Sequence, residues 1–496
     1  MFIVVGREGF EPSKAEPADL QSAPFDRFGT DPRFQSAVQT SGCTADYSEF
    51  DPKGKLFSDS FNFGSALLGC LYIKHDSMPQ FLVQGGAPLS GEVTIGGSKN
   101  ATLPILAATL LATGESVLNN VPDISDVHAY IEILNSLGAS ATYENGTVRV
   151  DATNISPADV DPNLVKHMRS SILLLGPLLG RFGEAKLAFP GGCVLGKRSV
   201  HAHVHALSAL GAELIESSDH VHMRTDGLKG TTFIMAEASV TATENALMAA
   251  VMAEGRTEIR WAAMEPHVQD LCHFLVALGA KIEGIGTHTL IVEGGQPLTG
   301  AEHTVISDYI EAGTFIIAAV LTNGDVQVKR CPVPHLDSFW QKLTEVGANF
   351  EIDGDTVHVK PHQGLKCIEK LQTSVYPGFA TDLQAPFTLL LTQCEGASKV
   401  HETLFEGRLN YLGELERMGV RVELLNPHQA VIHGVARLKA APIVSYDLRA
   451  GAAMVLAALI ADGESTISDI NYIDRGYEHF EEKLRALGAK IERIQD

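Results

Sequence analysis

Basic residues are scarce for so long a chain. Lys and Arg number 38 against 60 Asp and Glu, a formal charge of −22 over 496 residues. That balance argues against a general nucleic-acid or anionic-membrane surface, since both need basic patches. An anionic substrate must instead be drawn in by a local cationic cluster, against the field of the whole protein. No C-x-x-C pair occurs, and the seven cysteines (Cys43, Cys70, Cys193, Cys272, Cys331, Cys367 and Cys394) are odd in number and scattered. This pattern fits free thiols in a reducing cytosol better than a disulfide framework or a zinc site. Apolar runs fall far short of a membrane span. The opening "MFIVVGREGFEP" has no basic n-region and too short an apolar core for a secretory signal. What remains is an ordinary globular composition, 45% apolar and 20% charged, with length for two or three domains.

What the chain does have is repetition. A helix-ending phrase recurs as "LNSLGAS", "LSALGAE", "LVALGAK", "LTEVGAN", "LERMGVR" and "LRALGAK", around Gly138, Gly211, Gly279, Gly347, Gly419 and Gly488. The step of roughly 70 residues suits a compact supersecondary unit. Each Gly stands where a left-handed helix cap is needed, and alternating segments such as "AKIEGIGTHTLIVEG" follow as strands. A second phrase interleaves: "KNATLPILAATLLATGE", "RSSILLLGPLLGRFGE", "TATENALMAAVMAEGR", "DYIEAGTFIIAAVLTNGD", "TDLQAPFTLLLTQCEG" and "DLRAGAAMVLAALIADGE". Each has a polar head, an almost wholly apolar body and a Gly-containing turn. A helix apolar on every side is a buried one, so the expected class is α/β, with buried helices surrounded by sheets. One core stops growing near ~250–300 residues, so the six units should split three and three. The expected bounds are first strands over 78–98, one domain over 99–306 and a second over 307–496. The strands of "FLVQGGAPLSGEVTIGGS" should pair with the last unit, leaving the second domain discontinuous.

If equivalent helices point the same way, their polar heads gather at one end of each domain. The heads carry Lys99 and Asn100, Arg169, Thr241 and Glu244, Asp308 and Glu311, Asp382, and Asp447 with Arg449. Helix N-termini offer free N–H groups and partial positive charge, an anion site in waiting. Solvated capping explains the Asp and Thr heads one by one. It explains Lys99, Arg169 and Arg449 poorly, because a cation there opposes the macrodipole unless an anion is bound. Another cluster lies in "LAFPGGCVLGKRSVHAH", where Cys193 follows Pro-Gly-Gly and precedes Lys197 and Arg198. A buried structural thiol needs neither flexible nor basic neighbours; those cations would lower its pKa towards working pH.

The stretches "GGSKNATLPILAA", "MRSSILLLGPLLGRFG", "PGGCVLGKR", "TDLQAPFTLL", "YDLRAGAAMVLA" and "IDRGYEHFEEKLRALGA" closely resemble the UDP-N-acetylglucosamine 1-carboxyvinyltransferases, of the enolpyruvyl transferase family. The resemblance covers about residues 80 to 496, with several motifs in register. It implies two inside-out α/β barrels of three repeats each, closing over an interdomain active site. It also implies transfer of the enolpyruvyl group of phosphoenolpyruvate to the sugar 3′-hydroxyl, by addition and then elimination, without metal or organic cofactor. The reaction would be the first committed step of peptidoglycan synthesis, carried out in the cytoplasm by a monomer or weak homo-oligomer. Neither nucleic acid nor membrane would be a partner.

By this resemblance Lys99, Asn100, Arg198, Arg449 and Arg475 bind phosphoenolpyruvate, and Arg suits bidentate oxyanion contacts. Arg169, Arg198, Ser199, Val200, His201, Ser239, Val240, Asp382 and Leu404 match the sugar-nucleotide site. Asp382 is the expected general base, suited to that task if burial raises its pKa. Cys193 is the expected proton donor to the methylene carbon, able to form a covalent adduct, and Lys99 also belongs to the catalytic group. Asp308, Asp447 and Arg408 line the cleft, with a plain helix cap the competing reading of Asp308. The chain departs from the family pattern at Ser199 (usually Pro), His201 (Asp), Thr241 (Gly), Leu173 (sometimes Trp) and in "FEGRL" (usually FENRF).

The nearest rival is 3-phosphoshikimate enolpyruvyl transfer, whose enzymes lack the Pro-Gly-Gly-Cys loop and read Gly-Ser-Lys-Ser where this chain has "GSKN". A non-catalytic repeat scaffold would not need Lys, Arg, Asp and Cys at matching heads. His201, His203 and His205, spaced by two, would share a face for zinc only on a strand. Residues 1–77, with the Pro-, Ser-, Gly- and acid-rich "GREGFEPSKAEPADLQSAPFDRFGTDP", are expected to be dispensable, a disordered or mis-annotated extension ahead of a start at Met78, the competing reading being a regulatory or partner-binding extension through "SALLGCLYI".

Overall fold

The computed structural model describes residues 79–156, 160, 162–189, 200–215, 217 and 220–495. The 1–77 extension and the loop carrying Cys193, Arg198 and Ser199 lie outside them.

All six repeat glycines adopt positive φ, from +83° at Gly347 to +118° at Gly279. A Cβ is strained there, which is why each helix stops at that point and turns into a strand. In the third repeat the following strands, Lys281–Glu283 and Thr289–Glu293, pair antiparallel. Leu290 and Val292 point into the core while Thr289 and Glu293 face solvent, so the period of two seats one face of the sheet on the helices.

Six helical segments form the centre, and their ordinal names follow the chain. The first is Lys99–Ala108, the second Leu175–Phe182, the third Val240–Ala250, the fourth Tyr309–Leu321, the fifth Gln384–Leu391 and the sixth Leu448–Ile460. The fourth exposes none of its residues from Tyr309 to Val320, as its unbroken apolar sequence requires. Fully burying a Leu, Ile or Phe side chain is favourable by about 1.5–3 kcal/mol, so packing on all sides outweighs the weak helix propensity of its β-branched residues.

The second and fifth segments differ from simple helices. Each begins with a 3₁₀ turn, Arg169–Leu174 and Thr381–Leu383, before becoming α-helical. Pro177 and Pro386 stand third in their α segments and cannot donate to the carbonyl four residues back. The preceding turn therefore tightens, and it is this turn that carries Arg169 in one repeat and Asp382 in the other.

Two hydrophobic cores result. One is built from Ala101 to Val305, the other from Phe81 to Ile95 together with Tyr309 to Ile491. Six sheets surround the helices among the described residues, five of four strands and one of three. Strand Gln80–Gln84 lies between Glu464–Ser468 and Lys490–Ile494, antiparallel to both, whereas Ser90–Thr94 runs parallel to Asp325–Lys329. The N-terminal strands thus pair with the last repeat and with the fourth. The chain passes between the cores twice, and the two crossings meet at the Gly97–Ser307 bridge. A Cβ on Gly97 would lie 1.7 Å from the carbonyl oxygen of Asn120, so only glycine fits this crossing.

Candidate active site

Of the helix heads, Asp382 and Arg449 meet, and two carboxylate-centred clusters form around Asp126 and Asp382. In the first, Lys99 opens the first central helix behind Ser98, whose hydroxyl accepts from the Ala101 N–H. Its Nζ lies 2.8 Å from Asp126 Oδ2, and Arg475 Nε lies 2.9 Å from Asp126 Oδ1. Lys99 and Asp126 belong to the first core's chain segment and Arg475 to the second's, so Asp126 ties the two. In the second cluster, Asp382 receives Arg408 Nη2 at 2.7 Å on one oxygen and Arg449 Nε at 3.1 Å on the other. Arg449 also lies over the Tyr477 ring, 5.0 Å from its centroid, and Tyr477 is fixed by a 2.9 Å bond to Thr314. Four cations share two carboxylates here. Arg449 is buried, and its Nη1 meets no partner among the described residues. An unpaired buried guanidinium nitrogen is costly, and an incoming anion would satisfy it.

The electrostatics correct one expectation. Burial does push the Asp382 carboxyl up, but Arg408 and Arg449 outweigh it and hold the group well below the usual carboxylate range. Asp382 is thus held ionised by its arginines, not made more basic by its burial. The Lys99 pKa is lowered as well, but here burial is the main cause and Arg475 and Arg449 add to it, while Asp126 opposes.

The remaining sequence candidates fall as follows. Asn100 follows Lys99 in the first turn, part-exposed. Asp308 and Asp447 cap the fourth and sixth helices, accepting from Ile310 and Glu311 and from Arg449 and Ala450. Both therefore have a capping role, as weighed for Asp308, and Asp447 fixes the backbone that carries Arg449. Arg169 begins its 3₁₀ turn near His203. Val200 and His201 start the helix His201–Ala209, and Ser239 caps Val240 at the third central helix. Because His201, His203 and His205 stand on a helix, His201 and His205 share a face, their ring centroids 6.2 Å apart, while His203 points away from it and is buried. Among the described residues no group of three or more His, Cys, Asp or Glu is placed to hold a metal ion. Leu404 is exposed, its N–H bound to Glu402.

Three contributors escaped the sequence reading. Asp126 sits in the first turn of Ser125–Ser136, where an acid reads as a routine partner of the helix dipole. Glu402 accepts from Thr381 and Thr373 and from the Leu404 and Phe405 N–H groups, joining the Asp382 turn to the segment that carries Arg408. Tyr477 has only an aromatic ring beside Arg475 in sequence to suggest its contact with Arg449. None of the three carried a local signal that pointed to its partner.

This arrangement of repeats, cores and converging cations defines an enolpyruvyl transferase. The chain belongs to that family: residues 83–484 match the model of EPSP synthase (3-phosphoshikimate 1-carboxyvinyltransferase). It is 45% identical over 421 residues to the UDP-N-acetylglucosamine 1-carboxyvinyltransferase of Methylacidiphilum infernorum, covering 84% of this chain and 99% of that protein. It is 44% identical over 421 residues to the protein of the same name from Koribacter versatilis, covering 84% and 97%. Among solved structures it resembles the enolpyruvyl transferase NikO from Streptomyces tendae, with a TM-score of 0.78 and 26% identity over 85% of this chain and all of that one. The EPSP synthase of Acinetobacter baumannii shares the fold, with a TM-score of 0.66 at 21% identity over 84% of this chain and all of that one.

Proposed function

We propose that this chain transfers the enolpyruvyl group of phosphoenolpyruvate to the 3′-hydroxyl of UDP-N-acetylglucosamine and releases phosphate. The observation that carries the reading is the Asp382 cluster: a carboxylate clamped by two arginines, one of which keeps a buried nitrogen unpartnered. The relatives named above select the acceptor over shikimate 3-phosphate. Phosphoenolpyruvate sits between the two clusters, its charges on Lys99, Arg198, Arg449 and Arg475, with Asn100 beside them. The sugar nucleotide lies along Arg169, Ser199, Val200, His201, Ser239, Val240 and Leu404. As the hydroxyl oxygen bonds to C2, its proton passes to Asp382, while C3 takes a proton from Cys193. Loss of a C3 proton and departure of phosphate then restore the double bond. The domains divide at 99–306 and at 78–98 with 307–496, and the enzyme is cytoplasmic, serving peptidoglycan precursor synthesis without metal or organic cofactor. Phosphate release in the presence of phosphoenolpyruvate should require UDP-N-acetylglucosamine; release with shikimate 3-phosphate instead would overturn the acceptor.

Two further outcomes follow. An epoxide phosphonate such as fosfomycin should alkylate Cys193 alone, faster with the sugar nucleotide bound. Burial pushes the thiols of Cys272, Cys331 and Cys394 up to about 12, so these are poor nucleophiles. Peptide mapping that finds the adduct elsewhere removes Cys193 from the mechanism. Second, Asp126→Asn should raise the KM for phosphoenolpyruvate about tenfold or more, the worth of a charge-assisted contact. Without the carboxylate the Lys99 pKa falls further, so affinity should be lost at lower pH than in the parent as pH rises. An unchanged alkaline limb in the profile of 1/KM would show that Asp126 does not tune Lys99.

A further inference from the structure

A directed hydrogen-bond chain runs from the first core to the head of the third central helix. It starts at the Gly176 N–H, which donates to Asn245 Oδ1 at 2.8 Å. A Cβ on Gly176 would come within 2.6 Å of the Asn245 carbonyl oxygen, so the close approach depends on glycine. Asn245 Nδ2 donates to the Ile172 carbonyl at 2.9 Å and meets His203 Nδ1 at 2.8 Å. A backbone N–H on one side and a carbonyl on the other leave the Asn245 amide one orientation. Its NH₂ therefore faces Nδ1, which must accept, and the ring proton of neutral His203 must be on Nε2. Burial, with Arg169 nearby, lowers the His203 pKa to about 3, so the imidazole stays neutral at working pH. The Nε2–H in turn points at Thr241 Oγ1, 3.2 Å away.

Thr241 thus spends an oxygen lone pair on His203 and keeps its own proton to give. It stands second in Val240–Ala250, half-buried, in a first turn that has no acidic residue and no side-chain bond from its cap, Ser239. The backbone N–H groups of such a turn lack intrahelical partners and favour an anionic oxygen. Resting on the sugar-nucleotide reading above, we propose that Thr241 is a specificity-determining residue. Its hydroxyl, oriented through Gly176, Asn245 and His203, donates to a diphosphate oxygen of the bound nucleotide.

Calorimetric titration of the full chain with UDP-N-acetylglucosamine, UDP and uridine tests this. Thr241→Val should weaken the first two by about five- to twentyfold, as expected for one lost hydrogen bond to a charged acceptor, and leave uridine unchanged. Thr241→Ser should bind like the parent. Equal loss for uridine, or no loss for any ligand, overturns the assignment. Failure of the parent to bind the sugar nucleotide at all would instead overturn the acceptor reading, and this inference with it. Nitrogen NMR gives an independent check: His203 should be the Nε2–H tautomer at neutral pH, and the Nδ1–H form would break the chain of donors.

Discussion

Replacing Asp382 with Asn should lower turnover by about a thousandfold or more while the protein still folds, within the range general-base groups contribute. The amide cannot take the hydroxyl proton. It also turns an NH₂ towards one of two guanidinium groups, so unfolding should become easier by about 1–3 kcal/mol, the cost of one mispaired buried donor. The pH behaviour discriminates further. In the fold the Asp382 pKa is depressed by Arg408 and Arg449. Its contribution to stability is therefore present above the ordinary aspartate pKa and is lost only as pH falls through the lower, folded value. An acidic limb in parent turnover at mildly acid pH must come from another group. A carboxylate so strongly held is a weak base until one arginine is drawn away. Phosphoenolpyruvate engaging Arg449 would share that cation and let the Asp382 pKa rise only in the loaded site. Turnover near that of the parent in Asp382→Asn would remove the residue from the chemistry.

The contrast between what the sequence revealed here and what it hid has a physical origin. The six glycine caps and the buried helices were legible because local backbone strain and apolar periodicity are written within ten or so residues of one another. The cations at the helix heads were legible because each opposes its own dipole, a local oddity. The sign of the Asp382 shift was not, since the partners that decide it lie 26 and 67 residues further on. Asp126 was missed for the same reason: its own helix accounts for it fully, and its tie to Arg475 spans 349 residues. The 3₁₀ turns before Pro177 and Pro386 could have been read, because a proline three residues into an apolar helix withdraws a bond from the turn ahead of it. The bland capping of Asp308 was correctly available as the competing explanation.

Lys483→Met should be among the most damaging single changes to stability, although Lys483 touches neither cluster. Its ammonium lies 2.6 Å from Glu311 Oε1 and 3.3 Å from Glu478 Oε2. The other oxygens of these carboxylates take backbone N–H groups, Gly96 on Glu311 and Asp123 on Glu478, at 2.8 and 2.9 Å. One lysine therefore neutralises two acids that hold the first crossing between the cores and a loop of the first core. Only 5% of the Glu311 side chain reaches solvent, so without the cation its charge is left buried and unpaired. Breaking such a pair by removing one partner typically costs about 3–5 kcal/mol, which urea unfolding would resolve. Adding Glu311→Gln should return about 1–3 kcal/mol, because the amide oxygen still accepts from Gly96 and no charge is left buried at position 311. Burial already raises the Glu311 pKa against the pull of Lys483, and removing the lysine raises it further. An acid whose folded pKa exceeds its unfolded one favours the fold most fully below the unfolded value, and that advantage is lost as pH rises through the folded value. Lys483→Met should therefore recover stability relative to the parent as pH falls towards 4.5, the ordinary glutamate value, and the double variant should not. If the single variant's deficit is the same at neutral and acid pH, the loss comes from packing of the lysine stem and not from the stranded carboxylate.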